Sequence, residues 1–254
     1  MSLSCPDLSL LDFDGTYEQQ PRLAARFPHR RIDFRGLREA SLYCSLDAFH
    51  VIRRSLPPAR GTPVTLLGSG NRHFVALALI ARLPRPFTLV LIDHHTDGAE
   101  GTAPAMISCG SWLNHAALRL PRLARVVMLG PPPDAAAHLR AALRARTVFL
   151  SGSTAVTPER LLAAIPTEDV YLSLDKDAFA LSVARTNWDQ GDLTLDAVLP
   201  LLTALARTHT VRGVDLCGEW PASPLELLRA DVRAAIRQNE TANTRLLETL
   251  FSAA

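Results

Sequence analysis

A chain of 254 residues, 48% hydrophobic and 20% charged, is long enough to bury one sizeable core. Its 27 basic and 25 acidic residues leave a net charge of +2, scattered along the chain, so no general field favours nucleic acid or an anionic membrane. The opening "MSLSCPDLSLLDFDG" has no basic start before a long apolar run, and no stretch approaches the roughly 18 apolar residues of a membrane span, so one cytoplasmic domain, residues 1–254, is expected.

In chain order, apolar β-branched runs alternate with helical patterns, which predicts a three-layer α/β/α fold with a mainly parallel sheet. Strands are expected at residues 8–13, 64–67, 87–92, 125–129, 147–150, 170–174 and 211–216. Between them, "FVALALIARL", "AAAHLRAALRA", "PERLLAAI" and "LDAVLPLLTALAR" repeat apolar residues at three and four and suit covering helices. "SPLELLRADVRAAIRQNETANTRLLETLF" opens with Ser-Pro and reads as a long terminal helix. Cys5, Cys44, Cys109 and Cys217 form no C-x-x-C pair, which argues against a zinc ribbon or a disulfide framework and for buried thiols.

In an open parallel sheet, ligands gather beyond the carboxyl ends of the strands. Reactive side chains follow those ends repeatedly: Asp12 and Asp14, then His73, then Asp93 to Asp97 in "TLVLIDHHTDG", then Asp175 and Asp177, then Glu219. At a strand end, residues two apart share a side, so Asp93, His95 and Asp97 converge while His94 and Thr96 point away. Asp175 and Asp177 repeat that spacing. Four carboxylates in one dry crevice repel each other, and cations relieve that most simply. An oxygen-rich set with some imidazole and no thiolate favours manganese over structural zinc. Two ions roughly 3.5–4 Å apart would use the full set and generate hydroxide at neutral pH.

These residues resemble a family. "DHHTD" is similar to the D-x-H-x-D of the arginase and agmatinase superfamily of ureohydrolases, "SLDKD" to its S-x-D-x-D, and "GNRH" to its Gly-rich segment ending in a ligand His. The resemblance runs from the second strand onward and implies an arginase-like fold with two Mn2+ per chain. It places His73, Asp93, Asp97 and Asp175 on one ion and Asp93, His95, Asp175 and Asp177 on the other. Glu219, in "VDLCGEWP", is similar to the glutamate that pairs with a substrate guanidinium, although the match to D-h-h-E is shifted by one residue. "ISCGSW" departs further, since Cys109 stands where a proton-shuttling histidine is usual. A thiol suits acid/base work at neutral pH less well, and His115 is the alternative shuttle; Cys109 reads equally as a plain buried thiol. The catalytic candidates are thus Asp97, Cys109 and His115. "SCGSW" and "SLDKD" are similar, more weakly, to the peptide arginases, which would make the partner an arginine-containing peptide or a small guanidino compound and the products ornithine and urea. A homo-oligomer stays open.

Other classes compete. Relatives on the same general fold deacetylate acyl-lysine or acyl-polyamines with a single zinc, and a noncatalytic metal-binding protein would tolerate Cys109. "LLDFDGT" matches the D-x-D-G-T of haloacid-dehalogenase-type phosphatases, with "GDLTLD" imitating their later motif, but Gly191 follows the polar run "NWDQ" and not a buried strand.

Overall fold

In the computed structural model, which describes residues 7–58, 62–100, 105–150 and 156–253, the apolar runs become strands, the central ones buried along most of their length. β1 (Leu8–Asp12) pairs on one side with β2 (His29–Asp33), and two short strands, β3 (Ala40–Ser41) and β4 (Tyr43–Ser45), follow. Then come β5 (Val64–Leu66), β6 (Phe87–Ile92), β7 (Met106–Ser108), β8 (Leu123–Leu129), β9 (Thr147–Leu150), β10 (Asp169–Asp175) and β11 (Thr210–Cys217). Eight of them form one parallel sheet in the order β2-β1-β5-β11-β10-β6-β8-β9, while β3, β4 and β7 form a small antiparallel sheet.

Every residue of β1, β6 and β10 is buried, as a parallel sheet with both faces covered requires. Successive side chains part to opposite faces. Val90 and Ile92 join one core with Leu23 of α1 (Pro21–Arg26), Leu161 of α6 (Pro158–Ala163), Val198 of α7 (Leu195–Thr208) and Leu246 of α8 (Ala230–Ala253). Leu89 and Leu91 join the other, with Ile52 of α2 (Leu46–Ser55), Val75 of α3 (Val75–Ile80), Trp112 of α4 (Trp112–Arg119) and Leu143 of α5 (Ala141–Arg144). Side-chain caps begin three of these helices: Ser45, Thr157 and Thr194 accept from Ala48, Arg160 and Ala197 backbone N–H groups.

All seven expected strands are present. The helix expected over 135–145 is instead a 3-10 turn, Ala135–His138, and the short α5, because Leu139 and Arg140 take extended ψ values of 144° and 145°. The terminal helix starts at Ala230 and not near Ser223: Glu226 accepts from Ser223 and holds a separate 3-10 turn, and Arg229 is extended. β2, β3, β4, β7 and helices α1, α2 and α4 were not anticipated. β2 in particular reads "HRRID", a mostly exposed edge strand whose charges protect the sheet edge. Cys44, Cys109 and Cys217 are buried thiols, and Cys5 lies outside the described residues. No helix among the described residues is long and apolar enough to cross a membrane.

Candidate metal centre

β5, β11, β10 and β6 are consecutive neighbours, so their carboxyl ends form one row. The turn after β5 carries His73, the segment after β6 carries Asp93, His95 and Asp97, and β10 ends in Asp175 with Asp177 in the next turn. All six line one cavity of about 350 Å3. Two groups of donors there have ligand atoms within 4.8 Å of one another, His73 with Asp93 and Asp97, and His95 with Asp93 and Asp177; a third joins His73, Asp175 and Cys217. Asp93 is common to the first two.

The His73 ring is held in one orientation. Ser173 Oγ donates its single proton to Asp215 Oδ1 at 2.8 Å and therefore accepts from His73 Nε2, also at 2.8 Å. With Nε2 donating to Ser173, Nδ1 faces Asp97 Oδ2 (2.8 Å), Asp93 Oδ2 (3.2 Å) and Asp175 Oδ2 (3.7 Å), where a proton on the ring or a cation beside it offsets their charge. His95 Nδ1 lies 2.9 Å from Asp177 Oδ2, and its Nε2 lies 2.9 Å from Asp189 Oδ1, a carboxylate on the loop before α7. Trp112 Nε1 donates to Asp97 Oδ2. Asp97 sits at φ 50°, a left-handed conformation that non-glycine residues adopt at a cost and that is found preferentially at functional sites.

Three observations fit divalent cations. Asp93 Oδ2 is buried and accepts no hydrogen bond. Gly218, at φ +86°, leaves room that a Cβ would close at 2.4 Å from Asp175 Oδ1, and a Cβ on Gly70 would come within 2.8 Å of Asp175 Oδ2. Two of the carboxylates, Asp175 and Asp177, are also pushed toward their protonated forms, a shift that cations would reverse. Burial, then the charge of Asp93, pushes Asp177 up to about 7, and burial with Asp177 raises Asp175. Burial alone would lower both histidines, but Asp177 and Asp93 outweigh it and push His95 up to about 12, while Cys217, Asp97 and Asp93 raise His73.

The remaining candidates separate. Cys109 lines the cavity, and burial followed by the charge of Asp97 pushes its thiol up to about 11. His115, on α4, is half-buried and not part of the cavity wall; burial and Arg119 lower its pKa. Glu219 is turned away from the cavity. It is buried against Lys176 and accepts from Asn243 at 2.6 Å and Gln20 at 2.8 Å, so its carboxylate is spoken for; Gly218 occupies the D-h-h-E position. His94 and Thr96, expected to point away, also line the cavity, because the chain has left extended geometry there. Trp188, whose indole N–H donates to Asn71 at 3.0 Å, stands edge-on to His95 with ring centroids 5.6 Å apart.

Asp12 belongs elsewhere: it accepts from Gly15 N–H at 2.7 Å and is gripped by Arg31, while Asp14 closes a local turn with Thr16. A carboxylate so engaged is a poor phosphoryl acceptor. Sequence reasoning did not single out Asp189, Trp112, Trp188 or Cys217 as site residues; Ser173 alone was signalled, as the first residue of S-x-D-x-D.

No family model matches the chain. An uncharacterised protein of Thermotoga maritima is 31% identical over 249 residues, covering 97% of this chain and 90% of its own length. Among solved structures, the proclavaminate amidino hydrolase of Streptomyces clavuligerus superposes with a TM-score of 0.66 at 16% identity, covering 98% of this chain and 93% of that one. The arginase of Bacillus cereus gives 0.64 at 16% identity, with 96% and 98% covered. The formimidoylglutamase of Bacillus subtilis subsp. subtilis str. 168 gives 0.64 at 13% identity, with 97% and 87% covered. The three-layer fold with its parallel sheet is the arginase-like one.

Proposed function

We propose that this chain, which belongs to the same family as the Thermotoga maritima protein, is a metal-dependent hydrolase that cleaves a C–N bond of a guanidino group, with a pair of divalent metal ions, Mn2+ among them, as cofactor. The observation that carries this reading is the pair of donor groups sharing Asp93 on the floor of one cavity in an arginase-like fold. A single-zinc deacetylase would need only one such group. The three solved relatives named above carry names that describe amidino, arginine or formimidoyl chemistry, which supports a planar nitrogen-rich carbon as the reacting centre.

His73, Asp93, Asp97 and Asp175 would hold one ion, and Asp93, His95, Asp175 and Asp177 the other. When bound, such a pair supplies positive charge that polarises a substrate and lowers the pKa of water. The chain's own residues do the rest. Ser173 fixes the ring of His73, Asp189 that of His95, and the Trp112 N–H holds Asp97. Cys109, whose thiol stays neutral near pH 7, is a wall and weak donor there and not a base. His115 would need to move to shuttle protons.

Among the described residues, no Lys or Arg lines the cavity, while Asp134 does. A free α-carboxylate finds no Lys or Arg partner among these residues, so a guanidino substrate with a neutral or cationic far end suits the wall: arginine inside a peptide, giving ornithine and urea, or a decarboxylated amine. The test is urea release from arginine, agmatine and an arginine-containing peptide with Mn2+ added, alone and together with Zn2+, Co2+ or Fe2+. Urea from the peptide or agmatine above that from arginine is expected. Acetate from acetylated lysine, or no urea from any of the three, would overturn the reading.

A further inference from the structure

The sequence reading treated Cys217 as a buried thiol and the donor set as free of sulfur. Cys217 ends β11 directly opposite Asp175 in the strand register, with none of its surface exposed. Its Sγ lies 2.9 Å from Asp175 Oδ2, and ligand atoms of Cys217, Asp175 and His73 all fall within 4.8 Å of one another. His73 and Asp175 are also among the four residues proposed above to hold one ion together with Asp93 and Asp97.

We propose that Cys217 supplies a thiolate to the ion held at His73, so that this position carries nitrogen, oxygen and sulfur donors and takes Zn2+, Co2+ or Fe2+ in preference to Mn2+. The second observation is independent of the thiol. Asp93 Oδ2, on a residue 1% exposed, accepts no hydrogen bond and lies 3.2 Å from His73 Nδ1, so an unpartnered oxygen donor faces the same imidazole from the other strand end. The position at His95 differs: its group is His95, Asp93 and Asp177, with no sulfur. Soft thiolate shifts selectivity toward borderline ions, whereas a carboxylate and imidazole set suits manganese. The two positions therefore differ in kind, and the centre is built for two different metals.

The competing role is a thiol that merely satisfies Asp175, since Cys217 Sγ–H donates to that carboxylate. Ligation exchanges this S–H···O contact for a sulfur–metal bond; the thiol proton leaves to solvent as the ion enters, and no electron is transferred.

The inference rests on the binuclear reading, and one titration separates the two. Chelator-stripped full-length protein is titrated with Co2+, following near-ultraviolet absorption for sulfur-to-cobalt charge transfer and bound metal by elemental analysis. Two bound cobalt ions are expected, with a charge-transfer band that grows with one of them. Cys217→Ser should lose the band while still binding cobalt, and Cys109→Ala should keep it. The preference for Zn2+ over Mn2+ at that position should fall by about tenfold or more in Cys217→Ser. Bound cobalt without a band in the unaltered protein, or a band that survives Cys217→Ser, overturns the thiolate alone. No bound cobalt at all overturns the binuclear reading and this inference together. Should Cys217→Ser fail to fold, the band in the unaltered protein and in Cys109→Ala still decides.

Discussion

Asp175 and Asp177 look into the cavity, while Lys176 between them is buried on the other side, where it meets Glu219, Asn243 and, through them, Gln20. Both clusters are charged and largely buried. Behind the strand end, each acidic oxygen has a donor: Glu219 Oε1 accepts from Lys176 and Asn243, and Oε2 from Gln20. In front, four carboxylates share two imidazoles, one buried oxygen accepts nothing, and Asp97 holds a strained conformation. The rear cluster is complete as it stands and reads as structural glue. The front cluster is short of positive charge, the imbalance that a bound cation would correct.

That contrast gives opposite signs for substitutions one residue apart. Asp175→Asn should abolish metal retention and metal-dependent turnover, yet leave the metal-free protein as stable as before or more so, because a repulsive buried charge is gone. Thermal unfolding with and without metal checks both halves. The unaltered protein should gain about 4 kcal/mol at a thousandfold metal excess over Kd, and Asp175→Asn almost none. A metal-free Asp175→Asn that is strongly destabilised would mean the front cluster is structural too.

Lys176→Met should do the reverse. It strands Glu219 as a buried unpaired charge and is expected to cost about 3–5 kcal/mol, read from denaturant unfolding. Lys176→Met combined with Glu219→Gln should recover most of that loss. If the double variant is no better than the single one, the pairing is not what stabilises the rear of the strand end. The double variant should also retain metal binding, and its KM for the guanidino substrate then decides whether Glu219 has any part in substrate recognition.

A smaller effect lies on the frame around His73. Ser173→Ala removes the acceptor for Nε2–H, frees the ring to take the other tautomer, and leaves Asp215 Oδ1 without its donor. Loss of a ligand-orienting contact of this kind typically costs 10–100-fold in metal affinity, and a buried one belongs at the upper end, about a hundredfold. Calorimetric metal titration should show one weakened position and one unchanged.

The front cluster was legible in the sequence because its parts are local. D-x-H-x-D and S-x-D-x-D each sit at the end of an apolar run, and strand ends in a parallel sheet open on one rim. The central strands were legible for the same reason, full burial leaving unbroken runs such as "FTLVLI". The rear cluster was not legible. Glu219 finds Lys176 at a separation of 43 residues and Gln20 at 199, contacts that no spacing rule carries, and so the nearby match to D-h-h-E looked like a substrate carboxylate. Cys217 was overlooked because an isolated cysteine in an apolar strand is usually packing; only the register opposite Asp175 gives it a neighbour worth noticing. The edge strand "HRRID" escaped because exposure removes the hydrophobic pattern by which strands are read.

The finest cut through the front cluster is Asp189→Asn. Asp189 reaches His95 Nε2 from a loop, and its side chain is 74% exposed, against complete burial for Ser173 on the other histidine. Both contacts orient a ligand ring, but water can replace the exposed carboxylate more readily than the buried hydroxyl, and salt screens it. Asp189→Asn keeps the shape and an amide oxygen able to accept from Nε2–H, while removing the charge. The expected loss is therefore near the low end, about tenfold in affinity at the His95 position, shrinking as ionic strength rises, with the His73 position unmoved. Metal titrations at low and high salt check it. A loss as large as that of Ser173→Ala, insensitive to salt, would show that Asp189 acts by binding an ion itself and not by steadying the ring.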